Sequence, residues 1–258
     1  RMIVTRVRLI SRVPGGAMLS VPLPVKEVEP QLETGLSIAI DNGPSCIVAG
    51  PRPLIDTFEE RMKTMRHMCM RLDTTYAIHS MMMDPIVEEY AAEVRKYRFH
   101  EPRIPYISNV PGKRLTAREA LDPGYWARHL RETVRFADGM KELLREEKVI
   151  FLEVGPGRDL SASIGRFIDS PSGQKAVNLV RPPGKKVHDL RYLLNKIGDL
   201  WLYGKKIDWT GFYGDESRRR VSLPTYPFQR KRYRVELSDS TRLANLGMSF
   251  NISPGVST

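Results

Sequence analysis

Leu36-Ser37-Ile38-Ala39-Ile40-Asp41-Asn42-Gly43-Pro44-Ser45-Cys46-Ile47-Val48-Ala49 reads as two strands around a tight connection. The apolar runs are strand-like, and Asn42-Gly43-Pro44-Ser45 supplies the turn chemistry that closes a hairpin. Working outward, Ala17 to Val21 is a short strand, and Val25, Val28 and Leu32 mark a helix. On the other side, Pro53 pre-sets the first turn of a helix. Ile55, Phe58, Met62 and Met65 keep one apolar face on it. Met68 to Leu72 is the last strand. The order β-α-β-β-α-β is the ferredoxin-like arrangement.

The flanks read differently. Residues 1–10 look like the end of a helix, stopped by Pro14-Gly15-Gly16, so the chain reads as starting inside an element. Residues 80–97 carry Ile86, Tyr90 and Val94 on one helical side, with Met81-Met82-Met83 as core or pocket wall. Residues 102–115 are proline-rich and extended, and a short helix with Tyr125 and Trp126 starts at Asp122 or Pro123. Phe136, Met140, Leu143 and Leu144 define another helix. Val149 to Val154 is a continuous apolar run, the pattern of a buried parallel strand. It ends at Gly155-Pro156-Gly157, with Asp159 as the expected cap of the next helix. This glycine turn lacks the GxxxxGK[ST] spacing of a phosphate loop. A strand over 176–181 and an amphipathic helix from Leu190 to Trp201 follow. Residues 204–236 read as a segment wrapping over a domain surface, anchored by Trp209, Phe212, Tyr226 and Phe228. Beyond Leu237 the polar, turn-rich composition predicts disorder. No internal repeat is visible.

Composition narrows the class. A chain of 258 residues with 41% hydrophobic content is long enough for a sizeable core. No apolar run approaches the roughly 20 residues needed to span a bilayer, and no signal peptide is visible, so the sequence points to a cytoplasmic location without membrane contact. Cys46 and Cys69 have neither disulfide-framework nor metal-ligand spacing, and free buried thiols are expected. The net charge is +11, and residues 181–236 hold 14 Lys/Arg against 6 Asp/Glu. No nucleic-acid-binding motif accompanies that charge, which suits phosphate-bearing or acidic partners instead.

One short stretch carries candidate chemistry. Tyr76-Ala77-Ile78-His79-Ser80 closes the extended run from Cys69 and opens the helical segment with Asp84-Pro85. An imidazole at such a junction can face a cleft, and it can take and return a proton near neutral pH. Position alone does not single it out, because histidines also occur at 67, 100, 129 and 188.

Together these motifs resemble the acyltransferase domains of modular polyketide synthases. Tyr76-Ala77-Ile78-His79 is similar to the family's YASH or HAFH motif, and Gly15-Gly16-Ala17-Met18 to the start of its small subdomain. Ile38 to Gly50 resembles its central hairpin, and Phe151-Leu152-Glu153-Val154-Gly155-Pro156-Gly157 its FxEVGPG signature. Leu223-Pro224-Thr225-Tyr226-Pro227-Phe228-Gln229-Arg230 resembles the linker after the domain. The five matches run in family order from residue 1 to about 236.

The resemblance implies an α/β fold: a partial α/β-hydrolase-like large subdomain with an inserted ferredoxin-like small subdomain, followed by an extended linker. Residues 1–14 would end a large-subdomain helix, 15–76 form the small subdomain, 77–182 continue the large one, 183–236 form the linker, and 237–258 a disordered tail. It implies transfer of a malonyl-type extender unit from coenzyme A to the phosphopantetheine thiol of an acyl carrier protein. No permanent cofactor or metal is implied. A neighbouring ketosynthase would be a partner of the linker, and nucleic acid and membrane would not be partners. His79 would be the base, and backbone carbonyls at Val154–Gly155 would orient its ring. Arg6 would bind the extender's carboxylate, with Arg8 as the near alternative, because a guanidinium matches a carboxylate through two parallel hydrogen bonds.

Two departures matter. The family's serine sits in GHSxGE, and no GxSxG occurs in these 258 residues. The chain is therefore expected to be the C-terminal portion of such a domain, unable to form the acyl-enzyme alone. A non-catalytic remnant that docks a carrier protein, and a serine hydrolase, are the other readings. Tyr76 matches one family pattern and Ile78 neither. A β-branched Ile78 crowds an α-methyl branch, which favours malonyl over methylmalonyl.

Overall fold

The computed structural model describes residues 1–168, 173–217, 219, 221–229 and 231. They fall into two units, residues 1–206 and residues from 207 onward.

In the first unit, α1 (Met2–Ile10) leads into β1 (Gly16–Val21). After α2 (Val25–Val28) come β2 (Ser37–Asp41), β3 (Cys46–Pro51), α3 (Arg52–Thr64) and β4 (Met70–Arg71). The expected helix around Val25 to Leu32 breaks after one turn, because Pro30 shifts the chain into a 3₁₀ turn over Glu29–Gln31. The strands order as β4-β1-β3-β2, the ferredoxin-like sheet expected from the sequence. At the hairpin, the Asn42 N–H donates to the Ser45 carbonyl at 3.0 Å, and the Gly43 N–H donates to Asp41 Oδ1 at 2.8 Å.

Side-chain alternation sorts this sheet's two faces. Ala17, Leu19, Val21, Ile38 and Val48 pack against Val28, Ile55, Phe58 and Met62 of the covering helices. Met18, Ala39, Ile47 and Ala49 point the other way and pack on Ala77. That approach is close. A Cβ placed on Gly16 would lie 2.7 Å from the Ala77 Cβ and 2.9 Å from the Gly50 carbonyl. Ala77, Ile78 and Met82 thus pack on the face of the sheet opposite α2 and α3.

A 3₁₀ turn at Met81–Met83 then opens α4 (Asp84–Val94). The chain continues through a small ribbon, β5 (Ile107–Ser108) and β6 (Lys113–Arg114), then α5 (Ala117–Leu121) and α6 (Pro123–Arg131). The Asp122 carboxylate caps α6 by accepting from the Gly124 N–H at 2.8 Å. Leu9 and Val13, Ile86, Tyr90 and Val94 of α4, and Ala127 and Leu130 of α6 form a second core. β7 (Val134–Arg135) adds to the ferredoxin-like sheet, parallel to β2. The same chain that leaves α6 therefore enters that sheet.

After α7 (Phe136–Leu144), β8 (Ile150–Glu153) pairs in parallel with β9 (Lys175–Asn178) across α8 (Asp159–Gly165). The buried-strand expectation for residues 149–154 does not hold: Leu152 is 47% exposed and Val154 79% exposed. Among the described residues β8 has one strand neighbour, so much of its apolar run is left uncovered. Asp159 is not the cap of α8. The Glu153 carboxylate reaches over the turn and accepts from the Leu160 and Ser161 N–H groups at 3.1 and 2.9 Å. The unit ends with α9 (Asp189–Leu202).

The second unit contains α10 (Trp209–Tyr213), whose Trp209, Phe212 and Tyr213 rings pack on one another. Trp209, Phe212, Tyr226 and Phe228, expected from the sequence to anchor this segment, are 40, 41, 73 and 77% exposed. Their ring contacts run among neighbours in sequence, such as Tyr226 with Phe228 at 4.9 Å. The tail from 237 and the last residues of the expected linker lie outside the described residues. No helix among the described residues is long and apolar enough to cross a membrane.

Candidate active site

His79 stands at the meeting of the sheet, α4 and α6. Its backbone is left-handed, with φ of 57°. That conformation costs an L residue about 1–2 kcal/mol, and such costs persist where surrounding contacts fix them. Here the contacts come from the C-terminal end of α6. A helix leaves its last carbonyls without intrahelical partners. The Leu130 carbonyl accepts the His79 backbone N–H at 3.2 Å. Glu132 follows the helix in extended conformation, and its carbonyl lies 3.0 Å from His79 Nδ1. A carbonyl only accepts, so Nδ1 carries the proton and Nε2 keeps its lone pair.

This corrects the expectation that Val154–Gly155 orients the ring. Val154 is 79% exposed, whereas the carbonyl that holds His79 belongs to a helix end buried in the second core. Its position is further secured by Thr133, whose hydroxyl donates to the Ile38 carbonyl at 2.6 Å. Arg131 also pairs with Asp84 at the start of α4. The local sequence signal, a helix ending one residue before Glu132, was readable. What it did not reveal was that this end faces residue 79.

Ser80 is buried, and it is not a candidate nucleophile. Its hydroxyl donates to the Ala77 carbonyl at 2.6 Å and accepts from the Met82 N–H at 3.2 Å. It shapes the turn that presents His79. Tyr76 and Ile78 flank the histidine, half-buried, and pack against the helical core. Ile78 and Met82 also touch the cluster on the sheet.

Arg6 is half-buried on α1, while Arg8 is exposed. The charge of Arg6 acts on His79, His129 and Tyr90 together. Arg8 lies instead near Glu89, which is paired with Arg12. Among the described residues no carboxylate pairs with Arg6. Burial pushes the His79 imidazole down to about 4. The Glu132 carbonyl opposes that shift, and His129 and Arg6 add to it. The ring is therefore neutral at pH 7. His129, missed by the sequence reading as a member of the site, lies edge-on to His79 with ring centres 6.0 Å apart. Burial, then Arg6, lowers its basicity too.

Neither cysteine joins the site. Cys46 is fully buried, and burial with the nearby Asp41 pushes its thiol up to about 12. No group of three or more His, Cys, Asp or Glu side chains suited to a metal occurs among the described residues.

Comparison with known proteins follows the same outline. The acyl transferase domain family matches residues 1–199. A phenolphthiocerol/phthiocerol polyketide synthase protein of Mycobacterium tuberculosis is 33% identical over 90% of this chain, and the chain spans 16% of that protein's length. The acyl transferase domain of ZmaA is 42% identical, with a TM-score of 0.77 over 86% of this chain and 52% of that one. The acyl transferase domain of SpnD, solved in complex with 2-(pent-4-yn-1-yl)malonyl, is 36% identical. Its TM-score is 0.75 over 79% of this chain and 50% of that one.

Proposed function

The chain belongs to the acyl transferase domain family of polyketide synthases, and on that premise we propose that it carries the general base and the carboxylate site for transfer of a malonyl-type unit. The donor is an acyl-coenzyme A and the acceptor is the phosphopantetheine thiol of an acyl carrier protein. The observation that carries this reading is a neutral His79, its Nδ1–H held by the Glu132 carbonyl, beside the charge of Arg6, which no carboxylate among the described residues pairs with.

The chemistry runs in two halves. His79 Nε2 takes the proton of a serine hydroxyl as the oxygen attacks the thioester carbonyl. Collapse of the tetrahedral intermediate breaks the C–S bond, and the imidazolium returns the proton to the coenzyme A thiolate. His79 then takes the carrier thiol's proton as its sulfur attacks the acyl ester, and gives it to the departing serine oxygen. The Glu132 carbonyl and the negative end of α6 favour each transient imidazolium. No GxSxG motif occurs in these residues, so the serine is not assigned to any position here.

Arg6 would take the extender's free carboxylate through its planar fork. SpnD's malonyl complex supports a carboxylated unit. Pairing would also neutralise a charge that depresses His79, which makes the correct substrate strengthen its own base. Tyr76 and Ile78 would line the α-carbon pocket. The branched Ile78 favours malonyl over methylmalonyl, by an amount within the ~1–3 kcal/mol that one methylene is worth.

Titration of the chain with malonyl-coenzyme A and acetyl-coenzyme A tests the reading. Malonyl-coenzyme A should bind at least tenfold tighter, and Arg6→Gln should erase that preference while Arg8→Gln keeps it. Equal affinity for the two thioesters would sink the assignment. Denaturing mass spectrometry of the chain alone should show no acyl adduct.

A further inference from the structure

We propose that His129 is a positioning residue for His79, wedged so that it fixes the plane of the neighbouring imidazole. One hydrogen bond, from Nδ1 to Glu132, fixes a single point of that ring and leaves it free to rock about the bond. A second contact is needed to aim Nε2. His129 supplies it: the two rings meet edge-on at 6.0 Å with an interplanar angle of 68°. This lies within the range of attractive edge-to-face pairs.

A wedge works only if its far side is fixed. Tyr125 lies one turn earlier on α6, where residues four apart share a face. Its ring stands 6.3 Å from His129 at 68°. Tyr125 is 2% exposed, and its hydroxyl shares a 2.6 Å hydrogen bond with the buried Ser108 hydroxyl. Trp126 packs against Tyr125 at 5.1 Å and stacks on Phe99 at 5.7 Å. The series of rings therefore ends in firm core on one side and in His79 on the other. One helix supplies every part of the grip: an edge from His129, a carbonyl from Leu130, and a carbonyl just beyond its end from Glu132. The lowered basicity of His129 suits this role, since a cation there would oppose the imidazolium that forms on His79.

The inference rests on His79 as the base, but its test needs no turnover. In the full chain labelled with ¹⁵N-histidine, the His79 Nδ1–H resonance is identified by its loss in His79→Gln. His129→Ala should accelerate its exchange with water at least tenfold or abolish it. His129→Phe, which keeps a ring edge, should hold exchange within about twofold of wild type. Thermal melting checks that each variant is folded. Should His129→Ala fail to fold, His129→Asn against His129→Phe decides, with loss expected only in the former. Wild-type exchange in His129→Ala or His129→Asn overturns the proposal, and so does a His129→Phe spectrum that has lost the resonance. Failure of malonyl-coenzyme A binding with these spectra intact would remove the substrate reading alone.

Discussion

Two segments of this molecule carry backbone carbonyls out of the end of an element: α6 at Leu130–Glu132, and β8 at Val154–Gly155. The first holds His79 and the second does not. Leu130 is fully buried in a core shared by three helices, and Val154 is 79% exposed. A carbonyl becomes part of a site when packing fixes its direction, and the exit of α6 is packed on both sides. Below it lie α1 and α4, and beyond it Thr133 ties the chain to Ile38.

The contrast can be broken most directly by truncation. Leu130→Ala removes a fully buried side chain and should cost about 3 kcal/mol. Leu152→Ala, at a side chain 47% exposed, should cost less than about 1 kcal/mol. Urea unfolding of the two variants checks both, and equal losses would erase the distinction between the segments.

Acid is the next probe. Folded His79 titrates at about 4 and an ordinary histidine at 6.5. Between those values the unfolded chain binds the extra proton, so stability contributed by this group rises with pH. Lowering the pH from 6.5 to 4 should remove on the order of 3 kcal/mol. His79→Gln should flatten that part of the stability–pH curve, and an unaltered curve in the variant would contradict a buried, neutral imidazole.

A subtler change tests the far side of the α6 exit. Thr133→Val deletes the hydrogen bond to Ile38 and should cost about 1 kcal/mol. It should also speed exchange of the His79 Nδ1–H, because the Glu132 peptide loses its tether. The smallest effect belongs to the other segment. A Cβ on Gly155 would meet no heavy atom within 4 Å. Gly155→Ala should therefore shift stability by less than about 0.5 kcal/mol and leave the His79 resonance in place. A marked change there would restore the β8 exit as a partner of the ring.

Most of the ferredoxin-like sheet was legible because its determinants are local. The Asn42–Ser45 turn, the short apolar runs of β1 and β3, and the apolar stripe of α3 each name their own element and together name the topology. His79 was legible through a motif and its place after an extended run. The partner of its ring was not, because residues 79 and 132 are brought together by three helices packing at once. The wedge by His129 was hidden for the same reason: five histidines look alike until one of them faces another. The exposure of β8 was misread because an apolar run specifies a strand but not how many neighbours cover it. Asp159 was misread as a cap because Glu153, six residues earlier, reaches the same N–H groups from across a turn.

The Glu132–His79 hydrogen bond spans 53 positions and the Thr133–Ile38 bond spans 95. No local hairpin or single helix can form either, so each must await closure of a long loop. The left-handed backbone at residue 79 has no support until then. Bonds that depend on such closures are expected to form late in folding and to open early in unfolding. Exchange of the histidine's own N–H, donated to Leu130, would report the moment when these elements pack together.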